Sequence, residues 1–134
     1  MERKVLIVDD SPISRKMLKS CFPKENSYAF YEAGDGLAGL EMYKKVRPDI
    51  TFMDLTMPVM DGATCIDEIR KFDAKALIIV STADVQIKSI TRVMNLGALM
   101  VLKKPPSKEN VLDALMQSEE KLRSQLKGAG ANFA

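Results

Sequence analysis

Asp49-Ile50-Thr51-Phe52-Met53-Asp54-Leu55-Thr56-Met57-Pro58-Val59-Met60-Asp61-Gly62 decides how this chain folds. Residues 50–53 form a short β-branched and apolar run of the kind a buried strand needs. Asp54 ends it. Met57-Pro58 then stops the strand, because proline lacks a backbone donor and restricts the residue before it. Asp61 is placed to cap a new helix at Ala63. An acid at the end of a buried strand, just before a turn, faces the crevice where open α/β sheets bind ligands. Taken alone, Asp54 reads more plainly as a turn-forming aspartate, so the rest of the chain must decide.

The same pattern recurs upstream. Val5-Leu6-Ile7-Val8 is a continuous apolar run, typical of a strand buried on both faces, and Asp9 and Asp10 end it. Ser11 caps and Pro12 opens a helix with Ile13, Met17, Leu18 and Cys21 on one face, closed by Pro23. Tyr28 to Ala33 is a less apolar strand, expected near a sheet edge. Asp35-Gly36 turns into a helix carrying Leu37, Leu40 and Val46, which must end before Pro48.

Downstream, the helix after Asp61 buries Ile66, Ile69 and Phe72. Leu77 to Val80 is a fourth strand, ending in Ser81-Thr82-Ala83-Asp84. The next helix uses Ile87, Ile90, Val93 and Met94 before Gly97, a C-terminal cap. Ala98 to Leu102 is a fifth strand, followed by Lys103-Lys104-Pro105-Pro106. Ser107 caps a last helix with Val111, Leu112, Leu115, Leu122 and Leu126, which Gly128 ends. That helix, at about twenty residues and roughly 30 Å, is longer than a compact domain needs; Glu119 and Arg123 are spaced on it for an exposed ion pair. Residues 1–127 therefore read as one domain and 128–134 as a flexible tail. Strands alternating with helices predict an α/β domain on a five-stranded parallel sheet, with right-handed crossovers setting all strand C-termini on one edge.

Composition narrows the function. The chain has 134 residues, enough for one domain with a real core. Its 20 basic and 18 acidic residues leave a formal charge of +2, which argues against direct nucleic-acid binding. No apolar run approaches membrane-spanning length, and the four apolar residues at 5–8 do not make a signal peptide. Cys21 and Cys65 read as reduced thiols of a cytoplasmic protein. There is no histidine, which eliminates a Ser-His-Asp or Cys-His nucleophile, a histidine-ligated zinc and a phosphohistidine carrier.

The strand ends then carry Asp9 and Asp10, Asp54, Thr82 and Lys104. Singly each has a plain reading as cap, turn former, local hydrogen-bonder or solvated charge; together they share one edge of one sheet. Converging carboxylates repel and raise a pKa unless a cation sits among them. Only oxygen ligands are on offer, which suits a hard divalent ion such as Mg²⁺. Lys104 adds a positive charge, Thr82 a hydroxyl donor, and Ala83 lets a bulky anion approach the backbone. Such a site is built to accept a phosphoryl group on a carboxylate.

Val-Asp-Asp-Ser at 8–11, Met-Asp-Leu-Thr-Met-Pro-Val-Met-Asp-Gly at 53–62, Ser-Thr-Ala-Asp at 81–84 and Lys-Lys-Pro at 103–105 resemble the receiver domain of two-component response regulators, from about Lys4 to Leu122. The resemblance implies strand order 2-1-3-4-5 in a flavodoxin-like (CheY-like) three-layer sandwich. It implies that Asp54 is the phosphoacceptor and that Asp10, Asp54 and the Thr56 carbonyl ligate Mg²⁺, with Asp9 reaching it through water. Lys104 and Thr82 would bind phosphoryl oxygens, while Thr56 and Asp84 match positions that tune autodephosphorylation. It implies a cis Lys104–Pro105 bond, a sensor histidine kinase or phosphotransfer protein as donor, and output through the fourth helix, fifth strand and fifth helix, where Lys88, Arg92, Lys103 and Lys108 cluster.

Two departures stand out. Val101 occupies the place of an aromatic or histidine that swings inward as the switch residue, and Pro106 that of a frequent phenylalanine. The expected function is a phosphorylation-driven switch, not an enzyme beyond its own phosphorylation and dephosphorylation, acting through a downstream protein or its own dimer. It resembles either a stand-alone regulator or the receiver of a longer one, cut in its connecting helix. An aspartate-nucleophile phosphatase would resemble Asp-x-Asp rather than Asp9-Asp10, and a flavin carrier would need a phosphate loop unlike Ser11-Pro12-Ile13.

Overall fold

The computed structural model describes residues 2–131. Elements alternate throughout: β1 Arg3–Val8, α1 Pro12–Ser20, β2 Tyr28–Ala33, α2 Gly36–Val46, β3 Ile50–Met53, α3 Gly62–Phe72, β4 Ile78–Thr82, α4 Ile87–Asn95, β5 Met100–Lys103 and α5 Lys108–Ala131. The five strands are parallel and ordered β2-β1-β3-β4-β5, as the resemblance implies, with Tyr28–Ala33 at an edge. Val5, Ile7, Ile50, Phe52, Ile79 and Leu102 pack on Leu18 of α1 and Val111, Ala114 and Leu115 of α5. Leu6, Val8, Met53, Ile78 and Val80 pack oppositely on Leu40 and Tyr43 of α2, Ile66 and Ile69 of α3 and Val93 of α4. Alternate strand residues therefore supply both cores of a three-layer sandwich.

The caps expected at Ser11, Asp61 and Ser107 form, and Asp35 adds a fourth. Ser11, Asp35, Asp61 and Ser107 each accept the N–H three residues on, at 2.8–3.2 Å. These bonds satisfy donors that a helix start leaves without partners. Gly97 follows α4 at φ +105°, where a side chain would be strained. Cys21 and Cys65 are free thiols, and burial pushes Cys65 up to about 12.

Several helix faces are shallower than their periodicity predicts. Leu18 is buried on α1 while Ile13 is 73% exposed; Val93 is buried on α4 while Ile87 is 84% exposed. Leu37, Phe72, Met94, Leu112 and Leu126 also stand out in solvent. Helical spacing identifies a side of the helix, whereas depth depends on whether a neighbour covers that turn. Glu119 does not pair with Arg123 but takes the Arg3 guanidinium on both oxygens, at 2.7 Å each. The helix expected to stop at Gly128 runs on to Ala131. An interior glycine costs only about 1 kcal/mol, and Ala129 and Ala131 are strong helix formers. The start of the expected 128–134 tail is thus helical, and 132–134 lie outside the described residues.

Candidate functional site

Register brings the acids together. Val8 pairs with Met53, and Met53 with Val80, so Asp9, Asp54 and Ser81 follow from neighbouring positions. The Asp54 N–H donates to the Val8 carbonyl at 2.9 Å and the Asp9 N–H to the Ala33 carbonyl at 3.0 Å, carrying the ladder one residue further. On the other side Thr82 pairs with Lys103, and the Lys104 N–H donates to the Thr82 carbonyl at 2.8 Å. The Lys104–Pro105 bond is cis, as the resemblance implies.

Asp9, Asp10 and Asp54 each place a carboxylate oxygen within 4.8 Å of the others. Asp9 and Asp54 are buried and Asp10 is exposed. Asp54 Oδ1 accepts the Leu55 N–H at 2.8 Å, while Oδ2 lies 3.3 Å from Lys104 Nζ. Asp9 Oδ1 accepts the Ser11 N–H at 2.9 Å and Oδ2 accepts from Lys104 Nζ at 2.6 Å. Burial holds the Asp54 carboxyl above the ordinary range; the Lys104 charge opposes this and the Asp9 charge adds to it. Burial alone would lower Lys104, but the hydrogen bond to Asp9 and the charges of Asp54 and Asp9 outweigh it and hold the ammonium up.

A cleft of about 600 Å³ opens beside Asp54 and Lys104, lined also by Thr56, Thr82, Ala83, Asp84, Val85 and Gln86. A smaller, mostly apolar cavity of about 190 Å³ lies on the α1 side of the same group, where Met17, Leu18, Phe52 and Pro106 meet Asp9, Asp54 and Lys104. The open polar cleft is the one suited to a charged, hydrated group. All the expected strand-end residues therefore meet at one edge, and Thr56, Ala83 and Asp84 line their cleft. Val101 does not: it is half-buried on β5 against the core under α2, α3 and α4.

Four contacts escape the sequence. Arg15 Nη1 donates to the Asp9 carbonyl oxygen. The Ser89 hydroxyl donates to Asp84 Oδ2 at 2.7 Å, and the Asp84 N–H donates to Thr82 Oγ1 at 3.1 Å. The Gly36 N–H donates to the Met60 carbonyl at 3.1 Å, seating the β3–α3 loop against α2.

Comparison with known proteins agrees with this geometry. Residues 5–116 match the family model of the response regulator receiver domain. The chemotaxis protein CheY of Halobacterium salinarum is 38% identical over 115 residues, 86% of this chain and 95% of that protein. Sporulation initiation phosphotransferase F of Bacillus subtilis is 34% identical over 86% of this chain and 92% of its own length. A Borrelia burgdorferi CheX–CheY–BeF3–Mg complex superposes with a TM-score of 0.80 at 34% identity, covering 86% of this chain and 87% of that one. Acids, lysine and threonine on one edge of a 2-1-3-4-5 sheet, with relatives of this identity along most of its length, make this chain a member of the response regulator receiver domains, the phosphoacceptor modules of two-component signalling.

Proposed function

We propose that Asp54 is the phosphoacceptor of this receiver and that Asp10, Asp54 and the Thr56 carbonyl hold Mg²⁺, with Asp9 contributing through water. The observation that carries the reading is the Asp54 carboxylate itself. One oxygen is held by the Leu55 N–H, and the other faces Lys104 in the open cleft. That second oxygen attacks the phosphorus of a kinase or phosphotransfer-protein phosphohistidine; the P–N bond breaks and the electron pair leaves with the imidazole. Lys104 and the Thr82 hydroxyl then donate to phosphoryl oxygens, countering the charge of nearly −2 that phosphorylation adds. The donor set fits the metal: three carboxylates within 4.8 Å, oxygen ligands only, and an Asp54 whose ionised form needs support. Bound Mg²⁺ supplies charge neutralisation at those oxygens. Ala83 leaves room for the phosphoryl group, and Thr56 and Asp84 at the cleft mouth set its lifetime.

The signal leaves through the α4–β5–α5 face, where Lys88, Arg92, Lys103 and Lys108 are exposed, to a downstream protein or a second copy. Residues 1–127 form the domain, with the end of α5 as a connector. No helix among the described residues is long and apolar enough to cross a membrane, and we place the protein in the cytoplasm. Acetyl phosphate with Mg²⁺ is expected to add one phosphoryl group by intact mass, absent in Asp54→Asn and without divalent metal. Modification of Asp54→Asn would overturn the assignment.

A further inference from the structure

We propose that Arg15 is a positioning residue for the Mg²⁺ site, fixing the peptide that joins Asp9 to Asp10; this rests on the reading that those acids hold the metal. Arg15 lies one turn into α1, and helical side chains lean toward the N-terminus. Its guanidinium therefore reaches back and donates from Nη1 to the Asp9 carbonyl. Its Nε donates to Glu32 Oε1 of β2 at 2.8 Å, and Glu32 Oε2 is held in turn by Lys19 at 2.9 Å. The Arg15 side chain is only 18% exposed. A planar fork with donors in fixed directions thus spans from a strand-borne carboxylate to the peptide that joins Asp9 to Asp10. A cation near the N-terminus of α1 opposes the helix dipole, so the placement does not serve that helix.

The two acids differ in what holds them. The Asp9 carboxylate is gripped by the Ser11 N–H and Lys104, and the Asp9 N–H by the Ala33 carbonyl. Asp10 is exposed, and its carboxylate makes no hydrogen bond or ion pair among the described residues. Its place beside Asp54 is set by the backbone alone, through the peptide whose carbonyl Arg15 holds. Releasing that carbonyl frees the peptide plane to turn and carries Asp10 away from the other two acids. Partners that orient metal ligands typically account for about 10–100-fold in affinity.

Charge and positioning predict opposite signs. A guanidinium beside a cation site repels the cation, so charge alone makes Arg15→Ala tighten Mg²⁺. Positioning makes it weaken Mg²⁺. The test is Mg²⁺ titration of the full chain, followed by the amide resonances of residues 9–11, 13, 14 and 55, well below the unfolding midpoint. Arg15→Ala is expected to weaken Mg²⁺ about tenfold. Arg15→Lys, which keeps the charge but cannot bridge both acceptors, is expected to fall between it and wild type. Lys16→Ala removes an exposed charge from the same turn and is expected to bind as wild type does. Unchanged or tighter binding by Arg15→Ala overturns the proposal. Should Arg15→Ala not fold, Glu32→Gln takes its place: a smaller weakening supports the proposal and wild-type affinity overturns it. Loss of Mg²⁺ binding in Asp10→Ala beside wild-type affinity in Arg15→Ala defeats the inference alone; unchanged binding in Asp10→Ala defeats the metal assignment beneath it.

Discussion

Gly62 packs so closely on the Asp54 backbone that a Cβ there would lie 2.0 Å from the Asp54 carbonyl oxygen. Its N–H donates to the Leu55 carbonyl at 3.1 Å, so the start of α3 is seated on Asp54, the proposed phosphoacceptor. An added methyl must push the loop or the helix away. Gly62→Ala is expected to cost about 1–3 kcal/mol in a urea titration and to slow phosphorylation of Asp54. Gly34, whose Cβ would meet nothing within 4 Å, is the control: Gly34→Ala should stay within about 0.5 kcal/mol of wild type. Equal stability and rate in the two variants would refute this account of the loop.

Asp54 is expected to be a source of instability until its charge is met. Burial first, with the Asp9 charge added and Lys104 opposing, raises its folded pKa above the unfolded value. The folded state then binds that proton more tightly, so stability falls as pH rises from the ordinary carboxylate range through the folded pKa. Metal-free Asp54→Asn should therefore melt above wild type at neutral pH, and the gain should vanish below the ordinary carboxylate range. Mg²⁺ should narrow or reverse the order, since only wild type keeps all three acids. Melting of Asp54→Asn below wild type at neutral pH without divalent ions would contradict the burial argument.

What the sequence reveals follows from how local each cause is. Apolar runs and caps are local, so β3 ends before Asp54 and α3 starts after Asp61 as their residues demand. The site is legible for the same reason, because every strand of a parallel sheet delivers its last residue to one edge. Burial depth is not local, and Ile13 and Ile87 fit a helical stripe that no neighbour covers. Long-range pairs leave no pattern either. Glu119 has an arginine four residues ahead yet binds Arg3, 116 residues away in sequence. Arg15 and Ser89 read as ordinary helix-surface residues until the fold sets them against Asp9 and Asp84.

Val59 is expected to be a site of relievable strain. It sits at φ 68°, the centre of a three-residue turn closed by the Met60 N–H on the Pro58 carbonyl at 2.7 Å. Turns of that hand are strained, and a β-branched residue suits left-handed backbone poorly. Its side chain is 78% exposed, so little burial is lost on removing it. The left-handed penalty of about 1–2 kcal/mol outweighs the glycine entropy cost of about 0.5–1 kcal/mol. Val59→Gly should raise stability by up to about 1 kcal/mol by urea titration; a lower midpoint would place the strain elsewhere.

Ser89 is expected to couple the phosphorylated site to α4 in a receiver where Val101 offers no aromatic to swing. The Asp84 carboxylate is the clasp. It accepts the Ser89 hydroxyl at 2.7 Å and the Gln86 N–H at 3.1 Å, and these two bonds hold it below the ordinary range. The Asp84 N–H in turn donates to Thr82 Oγ1 at 3.1 Å. Gln86 provides α4 with no side-chain cap, so the first turn hangs on Asp84. Drawing the Thr82 hydroxyl toward a phosphoryl group pulls on that amide and, through it, on Ser89. In Ser89→Ala, Asp54 should still be phosphorylated, but amide exchange in α4 should no longer respond to phosphodonor. Arg92→Glu should show the reverse, with a normal exchange response and weaker phosphorylation-dependent association by sedimentation. A wild-type exchange response in Ser89→Ala would mean that the signal reaches α4 by another route.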